Sequence, residues 1–308
     1  MLIAITIIAI LLITLLIGLF AVYHKTFYSP HKDASETESP EMLAGHPFAE
    51  TSRALTERLC GLPCEYVTTR SYDRLTLSAR YYQGKADKPL CICFHGYRGS
   101  AVRDFSGGGL FLIDEGYNVL LVDERAHWRS GGHTITYGIR ERYDVLSWLN
   151  YANDRFGSDT PIYIFGISMG GGTVLMASGL DLPDNVRGIV ADCPFNSPKD
   201  IIKHVCRKIR LNPTLCWPLI WLSALIFGRL NICKTTAADE VKKATKPIMI
   251  IHGEGDDFVP MYMSRQVMDA NPSLIEMHTF PEAGHGLSYL YDTGRYQQLV
   301  KEFIHKTL

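Results

Sequence analysis

Apolar and polar positions follow three different patterns along these 308 residues. From Met1 to Val22 the chain is apolar all round: nineteen of the 22 residues are Ala, Val, Ile, Leu, Met or Phe, interrupted only by Thr6, Thr14 and Gly18, with no charge. Wound as a helix, such a run is about 33 Å long, enough to cross a hydrocarbon core of about 30 Å. No Lys or Arg precedes the run and no A-x-A cleavage site follows it, so an uncleaved membrane anchor over residues 1–24 is expected rather than a removed signal. Lys25 and Lys32 after the helix mildly favour a cytosolic C-terminal side. A short N-terminal tail can equally stay inside, so the side of the membrane stays open.

The second pattern is polar. Ser29 to Glu50 holds Pro30, Pro40 and Pro47 and the acids Asp33, Glu36, Glu38, Glu41 and Glu50, with little to bury. This reads as a linker over residues 25–50, with a globular part over 51–308.

In the third pattern short apolar runs alternate with helical stretches. Cys64–Arg70 and Leu75–Tyr82 are separated by Ser71-Tyr72-Asp73 and read as an antiparallel pair. Leu90–Phe94, Val119–Val122, Ile162–Phe165 and Val186–Val190 are nearly continuous apolar runs, as expected of strands covered on both faces. Ile248–Ile251 and Leu274–Phe280 follow after a long interruption, and the clearest helix is predicted from Ile139 to Arg155. The rhythm predicts an α/β fold: about eight mostly parallel strands with helices on both faces.

Charge and cysteine content narrow the function. Thirty-one basic against 32 acidic residues give a formal net charge of −1, and without a basic surplus nucleic acid is not an expected partner. Eight cysteines in a chain of this length are not a disulfide framework. Cys91 and Cys93 fall in a predicted central strand as small core residues, whereas Cys60 and Cys64 are near enough in sequence to pair, though nothing demands it. Tyr66, Tyr72, Tyr81 and Tyr82 read as packing on the first strands. No H-E-x-x-H, C-x-x-C or dinucleotide fingerprint occurs, so neither metal nor redox cofactor is expected.

Candidate chemistry gathers where strands end. Ile162–Phe165 runs into Gly166-Ile167-Ser168-Met169-Gly170, a G-x-S-x-G between a strand and a helix predicted over Thr173–Ser178. A sharp strand-to-helix turn exposes a nucleophilic serine there and aims helix amides at developing charge. A base and an orienting acid are then needed. Asp256 and Asp257 follow the Ile248–Ile251 strand, and His285 sits between Gly284 and Gly286 after the last one, so the order is Ser168, Asp256, His285. The backbone amides of Tyr97, in His95-Gly96-Tyr97-Arg98-Gly99, and of Met169 are the candidate oxyanion donors. His95 and His252 each close a strand in a His-Gly pair and read as packing or hydrogen-bonding residues. Asp123 and Arg125 read as polar contacts supporting the loops.

With Asp123-Glu124-Arg125-Ala126-His127 and His252-Gly253-x-x-Asp256-x-x-Val259-Pro260 added to these motifs, the chain resembles serine hydrolases of the α/β-hydrolase superfamily. It is most similar to the bacterial membrane-anchored group described as acyl esterases or serine-aminopeptidase-like hydrolases. The resemblance spans about Cys64 to Leu308. It implies Asp256 as the acid, Asp257 as runner-up, and Asp192 third, where some relatives carry it. Ala126 departs from the glycine many relatives have, which bears on loop shape. A serine nucleophile implies an ester, thioester or amide as substrate. Esters are favoured, with an aminopeptidase-like activity or a non-catalytic membrane-tethered scaffold as alternatives.

Between Pro194 and Pro247 the rhythm breaks, and the resemblance implies a cap over the active site at about residues 195–246. The cap holds a basic stretch (Lys199, Lys203, Arg207, Lys208, Arg210) and the apolar run Leu215–Phe227, too short to span a bilayer. A buried cap helix is the plain reading. The sharper one has Trp217 and Trp221 line an acyl pocket and rest on the membrane interface.

Overall fold

The computed structural model of the protein describes residues 1–30, 43 and 45–308. Leu2–Thr26 forms α1, long and apolar enough to cross a membrane. Its side chains are exposed along most of its length, and only Leu19 and Tyr23 are buried. Of the expected linker over 25–50, residues 31–42 and 44 lie outside the described residues. Its two ends are structured: Phe27 is fully buried, Tyr28 forms an antiparallel bridge with Thr134, and α2 begins at Ala49. Burial of the Phe27 ring extends ordered chain past the apolar run.

The elements follow as α2 (Ala49–Gly61), β1 (Glu65–Arg70), β2 (Thr76–Tyr82), β3 (Leu90–Phe94), α3 (Ala101–Asp104), α4 (Gly108–Asp114), β4 (Asn118–Asp123), α5 (Glu141–Phe156), β5 (Ile162–Ile167), α6 (Met169–Ala177) and β6 (Val186–Asp192). Then come α7 (Pro198–Lys208), α8 (Pro213–Phe227), α9 (Ala237–Glu240), β7 (Ile248–Gly253), α10 (Tyr262–Ala270), β8 (Ile275–Phe280), α11 (Ser288–Tyr291) and α12 (Thr293–Thr307). The strands form one eight-stranded sheet in the order β1-β2-β4-β3-β5-β6-β7-β8. The β1–β2 and β2–β4 pairs are antiparallel and the rest parallel.

Strand alternation explains the two cores. Leu90, Ile92, Phe94, Ile162, Ile164, Ile248 and Ile250 face one side, with Trp148 of α5, Val174 of α6 and Met263 of α10. Cys91, Cys93, Tyr163, Phe165, Met249 and Ile251 face the other, with Leu110 of α4 and Val300 and Phe303 of α12. Both faces are covered, which is why these strands read as continuous apolar runs. None of the eight cysteines is in a disulfide, so Cys60 and Cys64 are not bonded to each other. Tyr81 and Tyr82 are buried as expected, but Tyr66 and Tyr72 are exposed and carry arginine guanidinium groups on their rings. β1 is an edge strand, so its outward tyrosine has no sheet neighbour to cover it.

The helices α7, α8 and α9 fill the expected insertion between β6 and β7. Asn212 caps α8, accepting from the Thr214 amide, and Pro213 starts it. The helix is not wholly buried: Ile220, Ser223 and Ala224 face inward, and Leu215, Leu219, Trp221 and Ile226 are exposed. It packs on α1 through Phe227, whose ring lies 5.3 Å from Phe20 and 5.9 Å from Tyr23.

Candidate active site

The turn between β5 and α6 holds Ser168 at φ 55° and ψ −112°. Such a left-handed φ is uncommon for a residue with a Cβ. It is imposed from both sides. A Cβ on Gly166 would stand 2.2 Å from the Gly170 carbonyl oxygen, and one on Gly170 would stand 1.9 Å from the Phe94 oxygen. Only glycine lets β3, β5 and α6 come this close, and the turn pushes Ser168 outward between them. Its amide is tied to the Asp192 carbonyl at 2.9 Å.

His285 lies in the loop after β8. Its Nε2 is 2.9 Å from Ser168 Oγ and its Nδ1 is 2.6 Å from Asp256 Oδ2. The other carboxylate oxygen of Asp256 accepts from the Phe258 and Val259 amides at 2.9 and 2.8 Å. Burial pushes the Asp256 carboxyl up, but hydrogen bonding to His252 and His285, the His285 charge and the Val259 amide outweigh it, holding the group well below the usual carboxylate range. An ionised carboxylate only accepts hydrogen bonds, so Nδ1 carries the imidazole hydrogen and Nε2 is left to face the serine hydroxyl. The Phe258 ring, 5.0 Å from the imidazole, covers its outer side.

The alternatives for the acid go elsewhere. Asp257 is exposed and pairs with Lys208 at 2.8 Å. Asp192 is buried at the end of β6, with Oδ1 unpartnered among the described residues. Burial pushes its pKa up to about 7, opposed by His252 and His285 and reinforced by Asp256. His252 is a scaffold group: its Nδ1 lies 2.7 Å from Ser264 Oγ and its Nε2 2.8 Å from the Val259 oxygen. His95 is another, with Nε2 accepting from the Glu124 amide. One group of potential metal ligands includes the site: ligand atoms of Cys193, Asp256 and His285 lie within 4.8 Å of one another. Burial holds the Cys193 thiol well above its ordinary range, so its sulfur stays protonated, a poor ligand.

Met169 follows the serine in the chain, and Gly96, the residue before Tyr97, lies against it: a Cβ there would stand 3.4 Å from Ser168 Cβ. Met169 opens α6, so its amide has no carbonyl a turn earlier in the helix to bond. Neither this amide nor that of Tyr97 donates to a backbone carbonyl among the described residues. The loop that presents Tyr97 is held on both sides of it: the Gly96 amide donates to Asp104 Oδ2 at 2.8 Å, Arg98 N to His127 Nε2 at 3.1 Å, and Trp128 Nε1 to the Gly99 oxygen at 2.9 Å. Beneath it Arg125 grips Asp144 through two 2.6 Å bonds and also reaches Asp73 at 2.9 and 3.2 Å. Ala126 is held at φ 63°, the left-handed conformation that a glycine there would adopt without strain.

One support was not visible in sequence. The last turn of α1 docks on this same loop. The hydroxyls of Tyr97 and Tyr137 donate to the Thr26 oxygen at 2.9 and 3.2 Å, and Arg98 Nη2 donates to the Lys25 and Tyr28 oxygens at 2.9 and 3.0 Å. A helix end leaves carbonyls without intrahelical partners, and here the candidate oxyanion loop supplies the donors. No local signal announces this, since Thr26 and Tyr97 lie 71 positions apart. Trp217 and Trp221, the expected pocket residues, both lie on α8. The Trp217 ring lies under the Lys199 and Lys203 ammonium groups at 5.9 and 5.6 Å, while Trp221 is exposed on α8.

A family model described as the prolyl oligopeptidase family matches residues 105–308. The chain is 25% identical over 299 residues to the uncharacterized protein YqkD of Bacillus subtilis, covering 95% of this chain and 94% of that one. It is 24% identical over 234 residues to the lysophosphatidylserine lipase ABHD12 of Xenopus tropicalis, covering 71% of this chain and 58% of the lipase. Among solved structures, the Pyrococcus furiosus esterase Pf2001 aligns with a TM-score of 0.64 at 21% identity, over 82% of this chain and 93% of the esterase. That likeness shows the α/β-hydrolase fold.

Proposed function

Because this chain belongs to the prolyl oligopeptidase family, we propose that it is a serine hydrolase cleaving carboxylic esters, thioesters included, through an acyl-enzyme. The observation that carries the reading is the unbroken row from Ser168 Oγ through the His285 imidazole to Asp256, with contacts of 2.9 and 2.6 Å. In this reading Ser168 Oγ bonds to the substrate carbonyl carbon while His285 Nε2 takes the hydroxyl proton. Asp256 keeps the Nδ1 hydrogen in place and stabilises the imidazolium. The carbonyl oxygen, now an anion, receives the Tyr97 and Met169 amides, which donate to no backbone carbonyl among the described residues. Collapse breaks the bond to the alcohol or thiol, which leaves with the Nε2 proton. Water then loses a proton to His285 and attacks the acyl carbon; Ser168 leaves with that proton and a carboxylic acid is released.

Esters are favoured over peptides by the charge beside the site. The Lys208 ammonium lies 5.6 Å from the Phe258 ring that covers His285, and Lys199, Lys203 and Arg207 share its helix. Even with Lys208 paired to Asp257, this helix carries a cationic excess that disfavours a peptide amino terminus. The lipase relative supports an acyl ester, and the length of α1 supports a membrane anchor. Amide hydrolysis is the second reading, favoured by the family match.

A fluorophosphonate probe and a substrate panel test this. Labelling of the full chain, lost in Ser168→Ala, with p-nitrophenyl esters turned over faster than aminoacyl-anilides, is the expected result. Faster anilide turnover selects the amide reading, and no labelling of the wild type means a non-catalytic scaffold.

A further inference from the structure

A cavity of about 410 Å³ opens where the last turn of α1 meets the loops after β3 and β4, with His24, Lys25, Tyr28, Arg98, His127 and Trp128 among its walls. Among the described residues none of the lining side chains is acidic, whereas Lys25 and Arg98 contribute two positive charges in a chain whose formal net charge is −1. The Arg98 backbone is held at φ 52°, and its side chain spends Nη2 on the Lys25 and Tyr28 carbonyls. Those bonds fix the guanidinium in the wall and leave its other nitrogens as donors. The Tyr28 ring stacks on His24 at 4.6 Å and His133 at 5.6 Å, which makes one wall flat and rigid.

Depth gives the cavity its meaning. It lies at the C-terminal end of the apolar α1 helix, where Tyr28 and Trp128 share its walls with Lys25 and Arg98. Aromatic rings beside cationic side chains at a helix end are the composition of a membrane–water interface. Arg98 also immediately follows Tyr97 in the candidate oxyanion loop, so whatever occupies the cavity touches the element that presents the Tyr97 amide.

We propose that this cavity binds the anionic phosphate headgroup of a membrane lipid, at the joint between the membrane helix and the oxyanion loop. The proposal rests on α1 being a membrane anchor, and it is separable from the hydrolase reading because binding needs no turnover. Phosphate is the group that two cations lining one cavity suit, since it accepts charge-assisted hydrogen bonds from both ammonium and guanidinium. Free phosphate carries the same chemistry, and a competition arm distinguishes the two sources.

The experiment uses the full chain with Ser168→Ala, in neutral detergent micelles containing fluorescent phosphatidylglycerol or phosphatidylcholine. The expected result is tighter binding of phosphatidylglycerol, reduced by about fivefold in Lys25→Gln, from roughly 1 kcal/mol per interfacial cation, and restored in Lys25→Arg. Lys25 is an exposed side chain outside the proposed catalytic row, so the variant keeps its fold. Inorganic phosphate that displaces the lipid from the Lys25 protein but not from Lys25→Gln assigns the site to free phosphate. A preference for phosphatidylglycerol that phosphate leaves intact assigns it to the lipid. Equal binding of the two lipids, or a preference unchanged in Lys25→Gln, overturns the proposal.

Discussion

Asp192 and Asp256 stand at neighbouring strand ends, one closing β6 and the other in the turn after β7, and both are buried. Their surroundings differ in donors. Asp256 receives two backbone amides on Oδ1 and the His285 ring on Oδ2, with His252 Nε2 3.4 Å away, so its charge is compensated and it stays ionised. Asp192 has an unpartnered oxygen among the described residues, and burial pushes it up to about 7. Burial alone therefore does not determine what a carboxylate becomes. The number of hydrogens aimed at it does.

The sharpest way to break the contrast is Asp256→Asn. The neutral amide no longer fixes the Nδ1 tautomer or stabilises the imidazolium, and kcat on a p-nitrophenyl ester is expected to fall by a factor on the order of 10⁴ with little change in KM. The same variant reports on stability. A carboxyl with a folded pKa below its unfolded value of about 3.9 stabilises the fold above that pH and loses the contribution as pH falls beneath it. The melting temperature of Asp256→Asn should thus lie below wild type at neutral pH and converge with it in acid.

A smaller effect comes from Ser264→Ala. It removes the 2.7 Å contact at Nδ1 of the buried His252, which stands behind Asp256. The expected cost is about 1–2 kcal/mol of stability, read in denaturant melts, together with a lower kcat as Asp256 loses its backing.

The smallest change is Asp192→Asn, expected to alter kcat by less than about threefold. Its signature is thermal. A folded pKa near 7 means that the folded carboxyl keeps a proton the unfolded chain has released, so stability declines as pH rises from about 4 to about 7. The asparagine has no such decline, and its melting temperature should exceed wild type by roughly 3 °C at pH 8, the gain vanishing towards pH 4. A large loss of kcat in Asp192→Asn, or none in Asp256→Asn, would exchange the two roles.

Much of this arrangement can be read from the chain alone, and the particulars show why. Leu90–Phe94 coincides with β3, and the other predicted strands agree with the observed ones to within one or two residues at each end. Strands covered on both faces admit almost no polar residue, so their limits are written in composition. Ser168 is legible because Gly166 and Gly170 must be bare for β3 and α6 to approach, and His285 because it stands in a glycine-flanked loop after the last strand. The structure joins both to Asp256 rather than Asp257 because the Phe258 and Val259 amides turn back on the first carboxylate and leave the second in solvent with Lys208.

What spacing does not carry is the union of distant surfaces. Tyr97 and Tyr137 meeting Thr26, Phe227 meeting Tyr23, and Trp217 settling under two lysines each depend on where whole helices lie. Sequence by itself determined the strands, the serine turn and the apolar helix, since each follows from local sterics and the period of burial. Only the tertiary structure decided that the end of α1 is part of the loop beside Ser168. Its unpaired carbonyls accept donors from wherever packing brings them, and no pattern of neighbouring residues encodes that choice.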